Sequence, residues 1–501
     1  MTSKKIKILF WLENYTIHFG IAKSLQEQFD CELYAIISCS SIQKKFFENQ
    51  TMIKFKKIWY IRDNISIDNH IPDINNLKLL ESKMNSPLSS LIFGDRFFYK
   101  YNRYNKFTHE EILSIIEQES HFFEKIIDEI NPTYAILRVP EFQDIELFYK
   151  ICRLKNIHTL ILDATRFGAR YMINDQTEHP IPFNKLETQK NLKNFEQLRE
   201  HIDSYSKSYD IVVKNLRSSK TRKISSALKF LFQFNKIDTK YYRDRKKSPF
   251  NVFIKELFFS LRKFYRNSFI EQNLEKSLSF DTSYVYFPLQ FEPERTILRK
   301  GEFYSNQLSV IKNIAQSLPI NMKLFVKEHP AMRLNGWRNM EFYKEILKMP
   351  NVKLFHPSLP NSLFVKNSSL VVTIAGTSGL ESVFYGISSI SLTNVNYSNL
   401  SNVFQITSFA NLSYIIKNAL ESKVDLLELN NYVKKIESIS FDCDVVGLVS
   451  SAEDFFGSGG FLDNIAILEK DMTDFLSKNK KIFDQIALEH IKKIEMIENQ
   501  N

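Results

Sequence analysis

Short, uninterrupted apolar runs alternate with stretches of helical spacing in two separate parts of this chain, and no other feature restricts its fold as much. In the first part, residues 6–12, 32–37, 134–139 and 159–162 read as strands, with helical patterns over about 19–29, 110–130 and 145–155. In the second, strands over 284–289, 323–327, 352–355, 370–374 and 389–392 are separated by helical patterns at 306–317, 340–347, 361–366 and 378–385. Continuous apolar strands alternating with helices predict parallel sheets covered on both faces. The expected class is α/β: two Rossmann-like doubly wound domains, with a helical middle segment and a helical C-terminal tail. The predicted boundaries are 1–186, 187–280, 281–425 and 426–501.

At 501 residues the chain is too long for one ordinary core, which agrees with two domains. No apolar run is long enough to span a bilayer. The first residues carry no secretory pattern. Cys31, Cys39, Cys152 and Cys443 lack metal spacing and read as reduced thiols, so a cytoplasmic location is expected. The net charge of +10 is concentrated: between Lys207 and Arg266 there are seventeen Lys or Arg against four Asp or Glu, and the rest of the chain is slightly acidic. Within that segment Val252, Phe253, Leu257, Phe258, Leu261 and Phe264 fall at helical spacing among Lys255, Arg262, Lys263 and Arg266. Two readings stand: a basic amphipathic helix on an anionic inner-membrane surface, or a helix packing its aromatic stripe on a domain with its charges in water. No nucleic-acid-binding motif accompanies the charge, so nucleic acid is not expected as a partner.

In open parallel sheets, ligands bind outside the carboxyl ends of the strands. The sharpest polar groups of the second half fall there, on three loops. Gln290, Glu292 and Glu294 follow the first strand of that half, with Pro293 between the two acids and Arg295 beside them. Lys327, Glu328, His329 and Pro330 close the next strand. Gly376, Thr377, Ser378, Gly379 and Glu381 follow the strand at 370–374. The chain has only 12 glycines, yet Gly376, Gly379 and Gly386 lie close together, which calls for close backbone approach or positive φ. A strand that breaks at glycine and restarts as a helix offers unpaired N–H groups to a phosphate. The bland reading of the same turn is a capping box, with Ser378 as N-cap and Glu381 completing it. His329, held by Pro330, can donate to a phosphate oxygen or to a departing phosphate, and His356-Pro357 is its rival.

In the first half, the acids at strand ends are Glu13, Glu141 and Asp163, with His18 close to Glu13. Glu141 and Glu13 are the candidate general bases, and the sequence does not separate them. No Asp-x-Asp motif lies at a suitable strand end (Asp442-Cys443-Asp444 is outside the second sheet), so neither a metal nor another cofactor is expected.

The segment from about 284 to 400 resembles the bacterial capsule polysaccharide biosynthesis proteins and their relatives among Kdo and sialic acid transferases. The resemblance is carried by Phe287-Pro288-Leu289-Gln290-Phe291-Glu292-Pro293-Glu294, by Lys327-Glu328-His329-Pro330 and by the run from Thr373 to Glu381. It implies a two-Rossmann GT-B glycosyltransferase. The spacing of the His-Pro and Thr-Ser pairs resembles that of enzymes using CMP-activated sugars such as CMP-Kdo. Carried over, His329 and Pro330 would approach the donor phosphate, and Thr377 and Ser378 would bind it. The Asp/Glu-Asp/Glu-Gly motif of many sialyltransferases is absent. The expected activity is metal-independent transfer of a sugar from a nucleotide donor to a glycan or glycolipid acceptor of a capsule or lipopolysaccharide. A teichoic-acid-type polyol-phosphate transferase, a sugar-nucleotide epimerase and a non-catalytic assembly scaffold are the alternatives.

Overall fold

The computed structural model describes residues 5–13, 16–67, 70–99, 101–176, 179–187, 191–200, 230–279, 281–456 and 465–500. The cations from Lys207 to Lys229, and the run Gly457-Ser458-Gly459-Gly460, whose composition reads as a loop, lie outside these residues.

The first sheet is built from β1 (Ile6–Glu13), β2 (Cys31–Ser38), β3 (Lys57–Tyr60), β4 (Tyr134–Leu137), β5 (His158–Ala164) and β6 (Arg170–Asn174), in the order β6-β5-β4-β1-β2-β3. Strands β1 to β5 are parallel, and β6 turns back antiparallel on β5. The second sheet contains β7 (Tyr284–Pro288), β8 (Lys323–Lys327), β9 (Val352–Phe355), β10 (Leu370–Thr373), β11 (Ser389–Ser391) and β12 (Val403–Gln405). Its order is β12-β11-β10-β7-β8-β9 and every pairing is parallel. All four residues of β4 and of β10 are buried, as strands covered on both faces must be.

The C-terminal tail does not stand apart. Helix Leu426–Ile439 buries Leu429, Tyr432, Val433 and Ile436 in the core of the second domain. Beyond it the chain crosses back: β13 (Phe441–Asp442) adds antiparallel to the edge of β6, and the remaining helices pack on the first domain. The last helix, Lys480–Glu498, buries Phe483, Ile486, Ala487, His490, Ile491 and Ile494 at helical spacing, and this stripe needs an apolar partner. Helix Ile17–Gln28 supplies it at Gly20, where an added Cβ would sit within 2.6 Å of three Phe483 ring atoms. The predicted boundary at 425 therefore moves to about 440, and the two ends of the chain share one core.

The basic middle is divided as well. Leu198 joins the core of the second domain. Residues 236–244 form two short 3-10 turns on the first domain, where Tyr241 and Tyr242 are buried. Three cations in and just after these turns are paired: Arg243 with buried Asp144, Arg245 with Glu111, and Lys247 with Asp244. Helix Pro249–Asn273 follows, started by Ser248, whose hydroxyl accepts from Asn251 N–H, and by Pro249. Of its 25 residues only Ile270 is buried. The expectation that its aromatic stripe packs on a domain is overturned: Phe253 is 69% exposed and Phe264 73%.

Candidate active site at the interdomain cleft

On the first domain, one guanidinium holds both candidate bases. Arg138, just beyond β4, donates through Nη1 to Glu13 Oε2 at 2.6 Å and through Nη2 to Glu141 Oε2 at 2.9 Å. Glu13, at the end of β1, also accepts from Trp11 Nε1 at 3.0 Å. Its side chain is 9% exposed against 38% for Glu141. The two carboxylates thus share one cation, but only Glu141 presents an accessible face. Asp163 pairs with Met172 inside the β5–β6 ladder and is buried. His18 is half-buried, and desolvation pushes its pKa down to about 3, with Arg138 and His490 adding to the effect.

On the second domain, the three loops meet on one rim because β7 lies between β8 and β10, and all three strands point the same way. Gln290, beyond β7, donates through Nε2 to Thr373 Oγ1 at 3.3 Å, and its backbone exchanges hydrogen bonds with the Gln307 side chain. Thr373 Oγ1 also accepts the Gly376 N–H at 2.9 Å, and the Tyr397 hydroxyl donates to the Gly376 carbonyl at 2.5 Å. A Cβ at Gly376 would lie 2.7 Å from Thr373 Oγ1 and 2.9 Å from Gln290 Nε2; one at Gly379 would lie 2.7 Å from the Tyr397 oxygen. Close approach dictates these two glycines, and a φ of +75° dictates Gly386.

The expected Ser378 capping box is not formed. Thr377 occupies the N-cap without a side-chain cap bond, and the helix runs Ser378–Phe384. Asn361 instead donates to Ser378 Oγ at 3.1 Å and to Glu381 Oε2 at 3.0 Å, while the Thr377 hydroxyl donates to Glu381 Oε1 at 3.3 Å. The Gly376 N–H is already taken by Thr373 Oγ1.

Lys327 ends β8 and is buried. The Glu328 side chain points inward: its carboxylate accepts from Arg338 Nε at 2.9 Å, from the Tyr343 hydroxyl at 2.7 Å and from the His329 N–H at 2.5 Å. Arg338 also donates to Glu292 Oε1 at 2.7 Å and to the Gln290 carbonyl at 2.5 Å. Glu328 and Glu292 are thereby held as parts of a buried frame that ties the loops after β7 and β8 together. Glu294 begins the helical turn that follows, its carbonyl accepting from Leu298 N–H at 3.1 Å.

His329 Nδ1 accepts the Ala331 N–H at 3.2 Å as Pro330 opens a short 3-10 turn, which places the ring hydrogen on Nε2. Burial lowers its pKa to about 3, with Lys327 and Arg338 contributing. At neutral pH the imidazole is a neutral donor. His356 follows edge strand β9, one strand further out than β8, with Nδ1 2.6 Å from Ser358 Oγ and Nε2 3.6 Å from Glu271 of the long basic helix.

The two halves touch through Glu292 and Arg295, which the sequence singles out, and through Tyr101 and Arg166, which it does not. Tyr101 donates to Glu292 Oε2 at 3.2 Å, Arg295 Nε to the Pro140 carbonyl at 2.7 Å, and Arg166 Nη1 to the Ala375 carbonyl at 2.8 Å. Arg166 has φ +63°, a left-handed conformation unfavourable for a residue with a side chain, on a loop whose next residue, Phe167, stacks on Phe384 of the second domain. Arg138, Arg166, Arg338 and Thr373 sit at or just after strands, or in a loop far away in sequence. Their only advance signal is a cation or hydroxyl near a strand end. The cleft therefore has one wall of arginine-clamped carboxylate and another carrying a neutral imidazole and a glycine turn.

Residues 190–398 match the family described as capsule polysaccharide biosynthesis protein. The match reaches some way N-terminal to the 284–400 segment that carries the motifs, into the basic middle. No curated protein matches the chain. Among solved structures it is similar to UDP-GlcNAc 2-epimerase of Methanocaldococcus jannaschii in complex with UDP-GlcNAc and UDP, at 10% identity and TM-score 0.27, covering 86% of this chain and 99% of the other. It is also similar to KpsC of Thermosulfurimonas dismutans, a beta Kdo 2,7 transferase, at 11% identity and TM-score 0.30, covering 66% and 81%. A third is the N-terminal domain of Candida albicans trehalose-6-phosphate phosphatase, at 9% identity and TM-score 0.31, covering 92% and 98%.

Proposed function

With residues 190–398 carrying the pattern of the capsule polysaccharide biosynthesis family, we propose that this chain is a glycosyltransferase that extends a surface polysaccharide from a nucleotide-activated donor. The observation that carries the reading is the meeting of the loops after β7, β8 and β10 on one rim, bonded across by Gln290, Thr373 and Arg338, with Glu141 and Glu13 at the strand ends of the other domain. The donor nucleotide lies on the second domain, with its phosphate between His329 and the Thr377–Ser378 turn.

Glu141 accepts the proton of the acceptor hydroxyl. The acceptor oxygen forms the new bond to the anomeric carbon, whose bond to the phosphate oxygen breaks, and the electron pair leaves with the nucleotide. His329, neutral with its hydrogen on Nε2, donates a hydrogen bond to that growing charge rather than a whole proton. Arg138 holds the carboxylate in place through the Nη2–Oε2 hydrogen bond. The spacing of the His-Pro and Thr-Ser pairs supports a CMP-activated sugar as donor, and a glycan or glycolipid as acceptor completes the reaction. The basic segment 207–266 supports peripheral contact with the anionic inner face of the cytoplasmic membrane.

The test is donor hydrolysis and transfer by the purified chain, beside a thermal-shift series with CMP, CDP, UDP and GDP. A bound nucleotide at about 100 times its Kd stabilises by about 2.7 kcal/mol. Free sugar released from one nucleotide sugar, and lost in His329→Ala, is the expected result. Release of polyol phosphate, or epimerised donor with no transfer, would overturn it.

A further inference from the structure

Helix Pro249–Asn273 is about 37 Å long at 1.5 Å per residue, and its two faces are used differently. The inner face bridges the domains. The Arg103 guanidinium from the first domain lies 4.0 Å from the centre of the Phe259 ring, and Arg266 Nη1 donates to the Gly336 and Trp337 carbonyls at 3.2 and 3.0 Å. Phe259, Lys263, Arg266 and Ile270 lie three or four residues apart on that face.

The outer face carries Phe253, Leu257, Leu261 and Phe264, each more than half exposed, with Phe250, Phe258 and Tyr265 equally open beside them. Isolated exposed apolar groups are ordinary, but a continuous band of seven on one helix marks a surface that something covers. Lys255 and Arg262 run along one flank of the band and are exposed. No helix among the described residues is long and apolar enough to cross a membrane, and the charges within this one hold it to an interface.

We propose that this helix lies in the plane of an anionic bilayer, with its outer face sunk among the acyl chains and Lys255 and Arg262 on the phosphates. This deepens the peripheral contact proposed above by changing what drives it. Arg243, Arg245 and Lys247 are committed to Asp144, Glu111 and Asp244, so these three are not offered to lipid. Apolar insertion through one helix then supplies the grip, and charge sets only the preference for anionic lipid. Because the inner face holds the carbonyls next to Arg338, docking would also fix the height of the cleft above the bilayer.

Flotation of the full chain with vesicles of phosphatidylglycerol and phosphatidylcholine tests this, with light scattering for mass and donor hydrolysis on the same samples. Wild type should float and stay bound in about 1 M salt, and Leu257→Glu/Leu261→Glu should bind roughly tenfold or more weakly. The double variant should remain folded and hydrolyse donor as wild type does, since both side chains already face water. Binding that salt abolishes and the double variant keeps would overturn insertion while leaving charge-driven contact standing. Absence of binding by a folded wild type, or a dimer that the double variant dissociates, would overturn it as well. Loss of donor hydrolysis in every sample would count against the transferase reading alone.

Discussion

Arg138 is bonded to both Glu13 and Glu141, so the two acids are chemically linked although 128 positions apart in the chain. Only Glu141 combines that clamp with an open face. Glu141→Gln should lower turnover by about 10²–10⁴-fold with little change in donor affinity, whereas Glu13→Gln should also weaken folding, because the amide keeps one acceptor oxygen and leaves either Trp11 or Arg138 facing an N–H group. Steady-state kinetics beside thermal unfolding distinguish the two. The residue scale also sets a pH limit. His18, His329 and His490 are held neutral by burial, with pKa values near 3, 3 and 4 against 6.5 in an open chain. The unfolded chain therefore takes up these protons first. Stability is complete above about pH 6.5 and falls as the pH drops toward 4, by up to about 1.4 kcal/mol per pH unit for each histidine. Thermal unfolding between pH 7 and 5 should show this slope, and His490→Leu should make it shallower. A flat profile would remove these histidines from the account.

Elements were legible where apolar runs were long. The strand 323–327 and the helix 340–347 agree with the structure at both ends, because each is a buried or strongly amphipathic segment between polar turns. The antiparallel β6, the edge strand β12 and the two-residue β13 were not legible, since their pairing depends on partners distant in sequence rather than on their own pattern. At the glycine turn, the need for glycine could be read from its clustering, but the reason could not: the intruding atoms belong to Gln290, Thr373 and Tyr397. The frame around Arg338 was hidden for the same reason, since Glu328 reads as a rim acid until Arg338 and Tyr343 are seen to draw it inward. The contact between helices Ile17–Gln28 and Lys480–Glu498 gives a direct test. Gly20→Ala pushes a methyl group into the Phe483 ring and should cost about 1–3 kcal/mol, measured by chemical denaturation. Gly20→Ala combined with Phe483→Leu should recover part of that loss.

At the scale of the molecule, the domains are joined by Arg166, Arg295 and Tyr101 at the cleft, and by Phe167, which leaves the first domain to stack on Phe384 in the second. Phe167→Ala should cost about 3–5 kcal/mol, as for other buried aromatic truncations. Because the ring sits between the units, calorimetry should resolve two transitions where the wild type shows one. A single, unsplit transition would mean that the other bridges suffice to keep the halves melting together. The crossing of the tail from the second domain back to the first has its own consequence for biosynthesis. The first domain draws on chain from both before and after the second, so during translation its sheet must wait without β13 and without the helix that covers Gly20. The second domain, contiguous in the chain up to the helix ending at Ile439, can fold before the residues that follow it emerge to seal a partner begun earlier.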